Sequence, residues 1–110
     1  MLTPGDVVVA LFSYSDMSGA KVRPALVISS KSYVAETGQV ILAAISSRPV
    51  RNRFEVEVMN WGTSGLRLPS KLCMGKLTTV NVNLVKAIGH LSDTDINIAK
   101  EIAGEIILNS

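Results

Sequence analysis

The chain is short of the residues that most often carry chemistry. It has one cysteine, Cys73, and one histidine, His90. A lone cysteine rules out an internal disulfide and fits a reducing cytosol. With a single histidine beside it, a zinc site of the usual four-ligand kind is excluded, and no metal or other cofactor is expected. Long apolar runs are missing too. None approaches the roughly 18 residues of a membrane span. The N-terminus lacks the basic start and apolar stretch of a secretory signal, so the expected compartment is the cytoplasm, without a membrane partner. Aromatic residues make up 5% and are confined to Phe12, Tyr14, Tyr33, Phe54 and Trp61, which leaves few rings to stack on bases. Charged residues are 18% against 47% apolar. That balance excludes a disordered chain, and residues 1–110 make one domain with a modest core.

The net charge is only +2, but its distribution is uneven. Four arginines fall between Arg48 and Arg67, and Lys71 and Lys76 follow. Asp93, Asp95, Glu101 and Glu105 are all in the last twenty residues. A basic body of this kind attracts nucleic-acid phosphates, although a mixed solvated surface produces the same composition.

Periodicity predicts a mainly β domain. Pro4-Gly5-Asp6 is a turn, and Val7 to Phe12 is a first strand. A polar loop, Ser13 to Lys21, leads into a second strand at Arg23 to Ser30. Glu36-Thr37-Gly38 turns into a third, Val40 to Ile45, followed by a basic loop from Ser46 to Asn52. Phe54 to Val58 alternates apolar and charged residues, the pattern of a strand with one wet face. Trp61 to Pro69 reads as a turn or short helical piece, then two strands at about Ser70 to Thr79 and Asn83 to Leu91. Ser92-Asp93-Thr94-Asp95 resembles a capping box. Ile96, Ala99, Ile102, Ala103, Ile106 and Ile107 then recur at helical spacing. Short strands closed by one helix suggest a small barrel or curled sheet with the helix packed on it.

The segment Ser18 to Ser29, SGAKVRPALVIS, is the most specific on the chain. Ser18-Gly19 breaks the backbone, and Lys21 and Arg23 place two cations at the loop edge. Pro24 fixes its own φ and presses Arg23 towards an extended conformation. Ala25 to Ile28 reads as a strand covered on both faces. Cations at the rim of a rigid sheet suit a phosphate or carboxylate ligand.

Together with PGDVVVALFSYSD, VILAAISSR, FEVEVMNWGTSGLRLPS and KLTTVNVNLVKAIGHLSDTDINIAKEIAGEII, this segment resembles the MazF/PemK (Kid-like) toxin family. The five pieces occur in the family's order over nearly the whole chain. The resemblance implies a small SH3-like barrel with a C-terminal α-helix. It also implies a homodimer that is the toxin of a toxin–antitoxin pair. The activity implied is a sequence-specific, metal-independent endoribonuclease, an mRNA interferase. The 2′-OH of single-stranded RNA attacks the adjacent phosphate and leaves 2′,3′-cyclic phosphate and 5′-OH ends. A cognate antitoxin protein is the implied partner.

Arg23 matches the family's catalytic arginine, whose planar fork can hold two phosphate oxygens as charge builds. Ser46 matches a position where the family usually has threonine; it keeps the hydroxyl but loses the methyl that restricts χ1. Surface pairing of Arg23, or a backbone bond from Ser46, are the bland alternatives. Tyr14, Asp16, Lys21, Arg48, Arg51, Arg53, Lys71 and Lys76 are the expected RNA contacts: Tyr14 by stacking, Asp16 at a base edge or 2′-OH, the cations along the backbone. Some relatives carry an Arg-x-Asp pair after the Trp-containing turn, where this chain has Cys73 and Gly75. That departure keeps a second reading open, a weak or inactive member that binds RNA or antitoxin. A third is a toxin acting on gyrase, as the CcdB toxins of similar fold do. Cys73, between Leu72 and Met74, reads as a core thiol, and His90 as structural.

Overall fold

The computed structural model of the chain describes residues 2–13 and 20–108, with 12, 13 and 20 described through their backbone. Asp6–Ser13 (β1) and Ala20–Val27 (β2) pair antiparallel, from Val7↔Leu26 to Ser13↔Ala20. Lys31–Thr37 (α1) precedes Gln39–Ser46 (β3), and a short strand, Glu55–Glu57 (β4), follows the basic loop. Lys71–Asn81 (β5), Val85–His90 (β6) and Asp93–Ile106 (α2) complete the chain. The strands form one six-stranded antiparallel sheet in the order β4-β5-β3-β2-β1-β6. The expected mainly β fold with a C-terminal helix is what forms.

The period of two along a strand sorts the interior into two layers. Val7, Leu26, Ala43, Ile45, Leu72 and Met74 point to one face, where Ile96, Ala99, Ile102, Ala103 and Ile106 of α2 pack with Trp61 and Leu66. Val8, Ala10, Ala25, Val27, Val40 and Leu42 point to the other, over Val34 of α1. Both faces are thus covered, which is why the central strands read as continuous apolar runs.

Two bulges bend the sheet. Ala43 pairs with Leu77 and the next residue, Ala44, with Cys73, so Met74, Gly75 and Lys76 stand outside the ladder. Ile88 is extruded in the same way between Val7↔Gly89 and Val8↔Ala87. Extra residues on one strand force it to turn away from its partner. β5 is accordingly buried from Lys71 to Met74 and largely exposed beyond.

The helix α1 is absent from the periodicity reading, which ran the second strand on to Ser30. The strand stops at Val27, and Ser30 caps α1, its Oγ accepting from Tyr33 N at 3.2 Å. Gly38 ends the helix in the left-handed region at φ 70°. Seven residues with one buried apolar position carry too little periodicity to announce a helix. The C-terminal helix starts as its capping residues predict: Ser92 Oγ accepts from Asp95 N at 3.2 Å. The Asp95 carboxylate is buried and accepts from Met59 N at 2.9 Å and Asn60 N at 3.0 Å, which ties α2 to the Trp-containing turn. That turn includes a single 3-10 turn, Trp61–Thr63. It lies so close to β6 that a Cβ on Gly89 would collide with the Ser64 carbonyl.

Candidate active site

Arg23 sits in β2 opposite Ala10 of β1, its side chain exposed. The ladder from β2 to β3 covers only Ala25↔Ala44, Leu26↔Ala43 and Val27↔Leu42. Pro24 brings no N–H with which to continue it. Two residues beyond the last pair, at corresponding positions, are Arg23 and Ser46. Alternation places both on the face of Ala25 and Leu42, at its rim. The two residues singled out for chemistry, 23 positions apart in the chain, thus stand at the same end of neighbouring strands.

Ser46 closes β3, and its Oγ accepts from Arg48 N at 3.1 Å. This is the local backbone bond foreseen as the bland role. It uses one lone pair and leaves the hydroxyl proton available to a phosphate oxygen. Across the ladder Ser46 faces Lys71, and Lys71 faces Glu57. Ala44, Cys73 and Glu55 form the next row on the same face.

Lys71 is one of the expected RNA contacts, but its side chain is turned inward, 4% exposed. Its Nζ donates to Glu55 Oε1 at 2.7 Å and to the Pro49 carbonyl at 2.8 Å. Glu55 is the second surprise. Alternation assigned it to a wet face, yet its side chain is 6% exposed beneath the basic loop. Besides Lys71 it accepts from Arg51 N at 2.7 Å and from Arg51 Nη2 at 3.1 Å. These donors, the Lys71 ammonium first, lower its pKa to about 2. In return the Arg51 guanidinium is raised further by its bond to Glu55. No sequence signal marked the pair, because a charged residue alternating with valine looks the same under a loop as under water.

The remaining cations stand outside. Lys21, Arg48 and Lys76 are exposed, and Arg51 keeps 63% of its side chain in solvent despite its carboxylate partner. Arg53 is bound by Glu105 of α2 at 2.7 Å and lies 4.3 Å over the Phe54 ring. Arg51, Phe54, Cys73, Gly75, Lys76 and Glu105 are among the residues around an open groove of about 440 Å³ beside the β5 bulge. A Cβ on Gly75 would meet nothing within 4 Å, so the bulge leaves the groove clear. The Cys73 thiol is buried, and burial, then the nearby Glu55 charge, push its pKa up. It is a poor nucleophile in this setting. His90 is distant in the fold and shares a 2.7 Å contact with Asp6. Tyr14 and Asp16 lie outside the described residues. Among the described residues no three His, Cys, Asp or Glu side chains gather as a metal site. Among the described residues no helix is long and apolar enough to cross a membrane.

The family model of the PemK-like, MazF-like toxins of type II toxin–antitoxin systems matches residues 3–107. The chain belongs to this family. Solved structures agree on the fold. A mycobacterial endoribonuclease solved with its cognate antitoxin superposes with TM-score 0.83 at 12% identity, covering 100% of this chain and 99% of that one. MazF in a MazE–MazF complex from Deinococcus radiodurans gives 0.79 at 19% identity, covering 99% and 98%. A MazF toxin of Mycobacterium tuberculosis gives 0.71 at 21%, covering 89% and 93%. At such identities the likeness concerns the fold. No curated protein sequence matches the chain. Toxins of this family are known as endoribonucleases.

Proposed function

We propose that this MazF/PemK-like toxin cuts single-stranded RNA at short sequences without a metal ion, acts as a homodimer in the cytoplasm, and is held in check by a cognate antitoxin. The observation that carries the reading is the placement of Arg23 and Ser46 at corresponding positions on one face of β2 and β3. The RNA 2′-OH gives its proton to solvent as its oxygen attacks the neighbouring phosphorus, the bond from phosphorus to the 5′-oxygen breaks, and that oxygen takes a proton from solvent as it leaves. Negative charge accumulates on the non-bridging oxygens in between. Arg23 supplies a permanently charged, bidentate donor there, and stabilisation of developing charge is commonly the largest catalytic contribution. Ser46 adds a hydroxyl donor beside it. Guanidinium rarely gives up a proton, so Arg23 acts through charge and not as the general acid. Lys21, Arg48, Arg51, Arg53 and Lys76 track the flanking phosphates, with Tyr14 and Asp16 contributing from the first loop. Lys71 serves from within.

A second reading is favoured by one observation: Cys73 and Gly75 line the groove with no charge of their own. On that reading the chain binds RNA or antitoxin and cuts weakly or not at all.

Incubating the purified chain with long single-stranded RNA in EDTA, beside Arg23→Ala, separates the two. Discrete cuts ending in cyclic phosphate, slowed at least about a hundred-fold in the variant, are expected of the nuclease. RNA bound but intact would decide for the binding module, and equal cutting by the variant would remove Arg23 from the mechanism.

A further inference from the structure

The segment from Ser47 to Phe54 carries Arg48, Arg51 and Arg53 and has no regular structure of its own. It is nevertheless pinned from below. Glu55 takes three donors, two of them from Arg51, and Lys71 spends a second proton on the Pro49 carbonyl. Three bonds of 2.7–3.1 Å thus join one buried ion pair to the loop. Lys71 is also the cross-strand neighbour of Ser46, so the pin sits directly beside the candidate catalytic rim.

A buried ion pair is a poor device for stability alone. Its desolvation cost commonly matches its attraction, and apolar residues of similar volume serve as well or better. What it supplies is direction. Arg51 is bound through both its backbone N–H and its guanidinium, which fixes where the exposed part of that side chain points. The charge count agrees with an anionic ligand. Two cations, Arg51 and Lys71, share the single Glu55 carboxylate, Lys71 is buried, and the unbalanced positive charge emerges at Arg51. Lys76 lines the same groove.

We propose that Glu55, with Lys71 behind it, is a positioning residue for RNA: a buried carboxylate that strengthens binding of a polyanion by holding Arg51 and the basic loop in the conformation that receives a phosphate at the groove. This rests on the ribonuclease reading above and assigns Glu55 no contact with the reacting atoms.

The sign of the effect makes it testable. Glu55→Gln removes a negative charge from an RNA-binding face, and charge counting alone predicts tighter binding. Positioning predicts the reverse. KM for a short RNA is expected to rise roughly ten-fold, the loss of about one charged hydrogen bond, with kcat at saturating RNA little changed. Because Glu55→Gln strands a buried ammonium, the neutral double replacement Glu55→Leu with Lys71→Met is measured beside it. That protein is expected to melt close to the wild type yet share the raised KM. Its Arg51 amide should lose protection from hydrogen exchange.

Wild-type KM in a double variant of wild-type Tm would overturn the proposal, as would tighter binding by Glu55→Gln. Wild-type protein that neither binds nor cuts RNA would sink the ribonuclease reading, and with it the RNA role of Glu55. Failure of the positioning role alone would leave wild-type cutting intact, so the two failures are distinguishable.

Discussion

Glu55 illustrates how one side chain can be charged, buried and satisfied at once. Its ordinary pKa of 4.5 falls to about 2 because Lys71 and Arg51 hydrogen-bond the ionised form. A folded-state value below the unfolded one means that the unfolded chain binds the extra proton between these limits. The pair therefore stabilises the fold fully above pH 4.5 and loses that contribution as pH falls towards 2. Comparing urea unfolding of the wild type with Glu55→Gln across that window should show the stability gap narrowing with acid. A gap independent of pH would mean that the carboxylate is not ionised in the pair. Cys73, its cross-strand neighbour, moves the other way: burial and the Glu55 charge hold the thiol protonated. The lone cysteine was legible in advance as a core residue, since it stands between Leu72 and Met74 in a strand. The inward turn of Lys71 was not, because nothing in KLCMG distinguishes a buried ammonium from an exposed one.

Connections between elements carry the rest of the architecture. α2 is joined to the Trp-containing turn by Asp95, whose carboxylate serves Met59 N, Asn60 N and Ser92 Oγ together. Asp95→Asn keeps the volume but turns one acceptor into a donor facing an N–H. A cost of about 1–3 kcal/mol is expected, read as a lowered urea midpoint at unchanged slope. An unchanged midpoint would show that the turn is held mainly by packing of Trp61. The capping box announced Asp95 as a first-turn acid, but its two long-range acceptor bonds needed the fold. The same holds for the strands. Their existence followed from β-branched alternation, whereas the Met74–Lys76 bulge, which opens the groove, left only Gly75 as a trace. The helix α1 went unread although Ser30 and Gly38 bracket it as caps, since the β-rich residues ahead of it favoured continuing a strand.

For the molecule as a whole, the linear separation of a basic body from an acidic tail does not survive folding. Glu105 of α2 returns to Arg53, so part of the basic loop is already neutralised. The cations left facing solvent are fewer than the sequence suggests, and Arg48 is among them. RNA affinity should fall linearly with salt on logarithmic axes. Arg48→Ala is expected to reduce the slope by about 0.7, the share of one phosphate contact on a single strand. A slope identical to the wild type's would place Arg48 off the RNA path.

Local order was enough to specify a mainly β domain, its capped closing helix, and the covered stretch that follows Arg23, because periodicity, caps and the Arg-Pro pair act within a few residues; that β2 already begins at Ala20, with Arg23 inside it, was not legible. The five ordered segments were enough for the family, which residues 3–107 bear out. Three things waited for the tertiary structure. One is the placement of Arg23 and Ser46 on one rim, which depends on the register of β2 against β3. Another is the burial of Glu55 with Lys71, 16 positions apart. The third is the capture of Arg53 by Glu105, 52 positions away. Each depends on strand register or chain return, and neither composition nor short-range pattern encodes which distant charge a residue will meet.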